Sequence, residues 1–150
     1  MKILILDGSP HPNGTTSLLR KAFAEGALSA GHTVDTFHTA KEDLHPCLGC
    51  NHCRNTGDGC VYKDGMEKLN PLLLMADCVV FSTPLYYFGM SAQIKMAIDR
   101  FFANNQVLRA QKKQAVLLAA CGDTDSWALD AWMHIIMLSV ITCIGKTQGK

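Results

Sequence analysis

Four of the chain's seven cysteines, Cys47, Cys50, Cys53 and Cys60, fall within fourteen residues in the spacing Cys-x2-Cys-x2-Cys-x6-Cys. Thiolates spaced this way let one compact loop, or one helical turn and a return, aim four sulfurs at a single point. A [4Fe–4S] cube takes four cysteine ligands from spacings of this style. Tetrahedral zinc also takes four thiolates, although its commoner pattern is two pairs with a longer spacer. Reduced thiols or a local disulfide are the remaining uses. Cys78, Cys121 and Cys143 sit in apolar stretches and read as small core residues. His45 and His52 flank the cluster, but histidines in polar loops are ordinarily just solvated.

A second candidate is Gly8-Ser9-Pro10-His11-Pro12-Asn13-Gly14-Thr15-Thr16-Ser17, which joins an apolar strand to the start of a helix. Free backbone N–H groups and the positive end of the helix dipole make such a junction an anion site, and Thr15, Thr16 and Ser17 add hydroxyl donors. The nucleoside-triphosphatase loop is not met, because five residues separate Gly8 from Gly14 and Thr15 stands where a lysine is needed. A phosphate monoester held by neutral donors fits better than a triphosphate with Mg²⁺. The alternative is a tight turn and helix cap with no ligand. Asp7 lacks the acidic neighbours of a phosphoacceptor, and no cysteine of the cluster has the arginine six positions on that a Cys-based phosphatase requires.

These residues need elements to position them. Lys2–Asp7, Cys78–Ser82 and Gln114–Cys121 are short apolar runs that read as strands buried on both faces, with Pro84 ending the second of them. Thr33–Thr39 alternates as an edge strand does. Helical spacing appears at Leu19, Ala22, Phe23, Gly26 and Ala27, and at Met66, Leu69, Leu73 and Ala76, where Pro71 predicts a kink or a split. It recurs at Ile94, Ala97, Ile98, Phe101 and Phe102, and over Asp125–Met137. The order β-α-β-α-β-α-β-α predicts an α/β fold with a doubly wound parallel sheet. Ligands in such sheets bind beyond the carboxyl ends of the strands. Gly8–Ser17, Thr83–Ser91 and Gly122–Ser126 should therefore converge.

Gly8-Ser9-Pro10 followed by Gly14-Thr15-Thr16 and Leu19 resembles the flavin-phosphate loop of the flavodoxin-like NAD(P)H-dependent FMN reductases. Thr83-Pro84-Leu85-Tyr86-Tyr87-Phe88-Gly89-Met90-Ser91, with Lys95 and Asp99-Arg100, is similar to a second motif of that family. Lys63-Asp64-Gly65-Met66 after the cysteines is similar to a third. His11 replaces the family's usual Arg, Thr15 its Asn and Gly65 its Asp. The cysteine spacing is similar both to the iron–sulfur flavoprotein branch and to cluster-free FMN reductases.

The resemblance implies a three-layer α/β/α flavodoxin-like domain over residues 1–150 that binds FMN. Ser9, His11, Asn13, Gly14, Thr15, Thr16 and Ser17 would hold the phosphate. Pro84, Leu85, Tyr86, Tyr87, Phe88 and Gly89 would offer a flat apolar surface with polar handles to the isoalloxazine, with Gly122 and Asp123 adding backbone donors. Packing or a dimer contact is the other use of three consecutive aromatics. The implied activity is electron transfer from NAD(P)H to a flavin, quinone or other small-molecule acceptor. The alternatives are an electron carrier with FMN plus a [4Fe–4S] cluster on Cys47, Cys50, Cys53 and Cys60, and a binding module that has lost its cofactor. A homodimer or homotetramer, with a neighbouring subunit covering part of the flavin, is implied as well.

Composition narrows the classes further. Fourteen Lys+Arg against 13 Asp+Glu give a net charge of +1, which argues against a nucleic-acid partner. No apolar run approaches the roughly 20 residues that span a bilayer. The N-terminus turns too soon for a signal-peptide core, so a cytoplasmic location is expected, where an odd cysteine count stays reduced. The 48% hydrophobic content suits one domain. Only four strands are legible, so a fifth flavodoxin strand is expected to be missing at the C-terminus, either by truncation or by supply from another subunit.

Overall fold

The computed structural model describes residues 1–122, 124, 125, 127–130 and 132–135. β1 (Lys2–Asp7) lies between β2 (Thr33–His38) and β3 (Cys78–Tyr86), and β5 (Gln114–Ala120) pairs the far side of β3. All of these pairings are parallel. β4 (Gly89–Met90) instead turns back antiparallel on the end of β3. The predicted doubly wound α/β sheet is therefore present, with β2 on the expected edge. The expected absence of a fifth parallel strand concerns residues 136–150, which lie outside the described ones, as does Cys143.

Alternation along the central strands explains the layers. Leu4 and Leu6 of β1 and Val79 and Phe81 of β3 face α3 (Met66–Met75) and α4 (Ala92–Arg100), packing with Leu69, Leu73, Ile94 and Ala97. Ile3, Ile5, Cys78 and Val80 face α1 (Thr15–Ser29), against Phe23, Ala24 and Ala27. Each such side chain, fully buried, contributes about 1.5–3 kcal/mol, so the sheet faces dominate the core. Leu19 is exposed, and the buried stripe of α1 is carried by Ala27 with Phe23 and Ala24.

Against expectation, neither proline interrupts its element. Pro71 neither splits nor ends α3, which runs through it. Leu69 and Leu73 on either side are fully buried, and the one carbonyl deprived of its donor belongs to Glu67 on the exposed face. Pro84 does not end β3, which continues to Tyr86 and pairs with β5 at Pro84↔Ala120. The Ser82 carbonyl accepts from Gly8 N–H, so the backbone groups of Ser82, and of Pro84 two residues on, face the β1 side. β1 has ended there, at Asp7↔Ser82, so the missing N–H has no partner to lose.

Beyond α4 the chain passes through a 3₁₀ turn (Phe101–Asn104) and α5 (Asn105–Ala110) before β5. Residues 127–130 and 132–135 are helical, inside the segment predicted as Asp125–Met137, and Trp132 is buried in the core. No helix among the described residues is long and apolar enough to cross a membrane.

Candidate functional site

Gly8 begins the loop that leaves β1. A Cβ there would lie 2.8 Å from Ile94 Cβ and from Ser91 Oγ, so only glycine lets the loop pass the start of α4. Ser91 locks that approach. Its Oγ donates to the Gly8 carbonyl at 2.7 Å and caps α4 by accepting Ile94 N–H, and its own N–H donates to Thr83 Oγ1 at 3.0 Å. Ser91 and Thr83 are fully buried, so the loops after β1 and β3 form one unit.

Within the loop the His11 carbonyl is the hub. It accepts Ser9 Oγ at 3.2 Å, Gly14 N–H at 3.2 Å and Ser17 Oγ at 2.8 Å. The fold thus engages the Ser17 hydroxyl in shaping the loop. Gly14 is the N-cap of α1 and has no side chain to cap with; the first turn carries no acidic residue. The N–H groups of Thr15, Thr16 and Ser17 have no protein acceptor among the described residues. Three free donors at the positive end of a fifteen-residue helix, two of them from buried residues, match a phosphate's oxygens. Asn13 and the His11 side chain are exposed at the loop surface.

The third-strand loop is a β-hairpin, which sequence reasoning missed. Leu85↔Met90 and Tyr86↔Gly89 pair across a two-residue turn, Tyr87-Phe88, and both turn residues are left-handed, with φ of 47° and 61°. Such a turn favours Asn-Gly; two aromatics there are strained. The turn holds Phe88 against Trp127, with ring centroids 5.3 Å apart and planes 28° from parallel. Trp127 Nε1 donates to Asp125. Trp127, which sequence reasoning did not single out, therefore joins the third convergent segment to the site. Leu85 packs on the core and Pro84 is half-buried. Tyr86 is half-exposed and Tyr87 fully exposed, so within this chain Tyr87 is not drawn into the site. A Cβ at Gly122 would meet open space, and Asp123 lies outside the described residues.

The cysteine loop lies apart from these loops, and Cys53, Arg54 and Gly57 share a cleft with residues 102–107 and Arg109 of the 3₁₀ turn and α5. Gly49, Asn51, Gly57 and Gly59 are all left-handed, and Asn51 and Gly57 bracket the five-residue helix α2 (His52–Thr56). Cys47 and Cys50 are exposed, while Cys53 and Cys60 are partly buried. The sulfurs do not form a preassembled site: among the described residues no group of three or more His, Cys, Asp or Glu side chains is placed to hold a metal ion. The loop is anchored instead by Asp64 and Arg100, both almost wholly buried. Arg100 donates to both Asp64 oxygens at 2.8 and 3.2 Å and to the His45 carbonyl at 2.8 Å, and it lies over the Tyr62 ring, on which His45 stacks. Burial pushes the Asp64 carboxyl up, but Arg100 and the N–H groups of Met66 and His45 outweigh it and bring it down to about 2. Burial likewise works against the Arg100 charge, and Asp64 and then Cys60 more than restore it. A Cβ at Gly65 would lie 3.0 Å from the Asp43 carbonyl, which explains glycine at this position.

A family model described as NADPH-dependent FMN reductase matches residues 1–148. An iron-sulfur flavoprotein of Methanocaldococcus jannaschii is 34% identical over 100 residues, covering 67% of this chain and 51% of that protein. One of Methanosarcina thermophila is 27% identical over 148 residues, covering 94% and 77%. The chain spans about half the length of several curated relatives it matches. An NAD(P)H:quinone oxidoreductase structure from Methanothermobacter marburgensis shares the fold with a TM-score of 0.76 at 20% identity, covering all of this chain and 82% of that one. With an uncapped helix after β1 joined through Ser91 to an aromatic hairpin after β3, and a match over nearly its whole length, this chain belongs to the NADPH-dependent FMN reductase family.

Proposed function

We propose that the protein binds FMN and acts as an oxidoreductase that passes electrons from NAD(P)H to a flavin, quinone or other small acceptor. The observation that carries this reading is the set of free Thr15, Thr16 and Ser17 N–H groups, fixed by buried Ser91 beside the hairpin that presents Phe88. The residues fit the cofactor. The uncapped helix start suits a phosphate monoester, and Leu85, Tyr86, Phe88 and Trp127 suit a flat ring at the carboxyl end of the sheet. When bound, FMN supplies the hydride and electron chemistry. The chain's own contribution is to hold the phosphate with neutral donors, orient the ring against the hairpin and exclude water from one side of it. Assembly as a homodimer or homotetramer accords with the fully exposed Tyr87 at the hairpin tip.

A second reading, an electron carrier with a [4Fe–4S] cluster on Cys47, Cys50, Cys53 and Cys60, is supported by the spacing and by relatives named iron-sulfur flavoprotein. Anaerobically purified protein separates the two: resolved flavin bands reduced by NADPH support the first, and iron near four per chain with a broad bleachable shoulder supports the second. Thr16→Leu places an apolar side chain at the start of α1 and is expected to weaken FMN binding about tenfold, as read by quenching of flavin fluorescence. Unchanged affinity in a folded variant would count against the phosphate-loop assignment.

A further inference from the structure

The face of the phosphate loop turned toward β2 forms one wall of a cleft of about 320 Å³. Arg20 and Lys21 of α1, His38 at the end of β2, Lys41 just beyond it and Asn13 of the loop complete the lining. The cleft lies beyond the carboxyl ends of β1 and β2, one strand to the side of the β1/β3 switch point where the flavin loop leaves the sheet. The loop itself contains no lysine or arginine, and these cations share the cleft with Ser9, Pro10, Pro12 and Asn13 of the loop.

Asp7 is the one carboxylate among the lining residues, and it is fully engaged. Its Oδ1 accepts Ser9 N–H at 3.1 Å, and its Oδ2 lies 2.8 Å from His38 Nδ1 and 3.1 Å from Arg20 Nε. One buried negative charge thus faces three permanent cations. Arg20, 12% exposed, stands in charge contact with Asp7, but its Nε makes no hydrogen bond and its terminal nitrogens have no protein acceptor among the described residues. A largely buried guanidinium with all its N–H donors unused suits a phosphate, which can take them bidentately. Lys21 and Lys41 have no ion-pair partner among the described residues and add mobile point charges at the rim.

We propose that this cleft binds a second nucleotide phosphate through Arg20, Lys21 and Lys41, beside the flavin phosphate placed at the start of α1. The inference rests on the flavin reading above for its neighbour but not for its own chemistry. Two sources share that chemistry: the adenylate phosphate of FAD, reached across the loop, and the 2′-phosphate of NADPH.

The double variant Lys21→Gln/Lys41→Gln leaves the phosphate loop, Arg20 and Asp7 intact, and both lysines lie on the surface. Apo-protein is titrated with FMN and FAD, and FMN-loaded protein with 2′,5′-ADP and 5′-AMP, by calorimetry. Wild type is expected to prefer FAD to FMN, or 2′,5′-ADP to 5′-AMP; the first identifies the flavin source and the second the nicotinamide one. The variant should lose that preference by about tenfold while FMN affinity stays within about twofold. Absence of both preferences in wild type, or preferences unchanged in the variant, overturns the proposal. Failure of wild type to bind FMN overturns the flavin reading instead, and the same 2′,5′-ADP and 5′-AMP titrations, run on the apo-protein, then decide the cleft.

Discussion

The Asp64 carboxylate receives two guanidinium N–H groups and two backbone N–H groups in a pocket that leaves it almost no contact with water. Its acidity in the folded chain, about 2, lies below the ordinary 3.8. A depressed carboxyl stabilises the fold fully above its unfolded value and loses that contribution as pH falls through the folded one. The interaction is therefore expected to contribute about 2 kcal/mol at neutral pH, fading between about pH 5 and pH 1. Asp64→Asn should lower stability at pH 7 by about 3 kcal/mol, because it leaves Arg100 charged and buried beside a neutral amide. It should also flatten the pH dependence in that window. Urea unfolding at pH 7 and pH 3 checks both, and an unaltered slope in the variant would refute the assignment. The resemblance motifs flagged Asp64 and Arg100 separately in the sequence; 36 positions apart, nothing there linked them.

At the scale of elements, the hairpin between β3 and β4 stores strain where the aromatic surface is needed. Tyr87 and Phe88 both occupy the left-handed region, at about 1–3 kcal/mol each. Asn-Gly in their place relieves that cost and loses the stack of Phe88 on Trp127, worth about 1 kcal/mol. The exchange is expected to raise the unfolding free energy of the apo-protein by about 1 kcal/mol and to weaken FMN binding about fivefold or more. Denaturant midpoints and flavin titration read the two effects separately. A variant both less stable and equal in affinity would mean that the turn is neither strained nor part of the site. The hairpin escaped sequence reasoning because a two-residue turn is ordinarily announced by Asn or Gly, and here a proline and three aromatics mask it.

Over the whole molecule, the loops of the candidate site leave one end of the sheet, and Ser91 at the start of α4 ties the loop after β1 to the loop after β3. A ligand bound across those loops stabilises the native state by mass action. FMN at about a hundredfold above its dissociation constant should add about 2.7 kcal/mol, a rise in Tm on the order of 5–10 °C, seen by calorimetry. Amide exchange should slow in Gly8–Ser17 and Tyr86–Ser91 and hardly change at the amino ends of the strands. Equal protection throughout would point to binding elsewhere. By itself the sequence determined the parallel sheet, the edge position of β2 and the two loops that carry the phosphate and ring candidates. Apolar runs and glycine-bounded junctions are local, and a strand buried on both faces cannot be written any other way. Only the tertiary structure decided that β3 and α3 run through Pro84 and Pro71, that Trp127 meets Phe88, that Ser91 ties two loops together and that Arg20, His38 and Asp7 enclose a cationic cleft. Each of these depends on which side of a strand faces a neighbour and on contacts between distant segments, and no pattern within one segment records that.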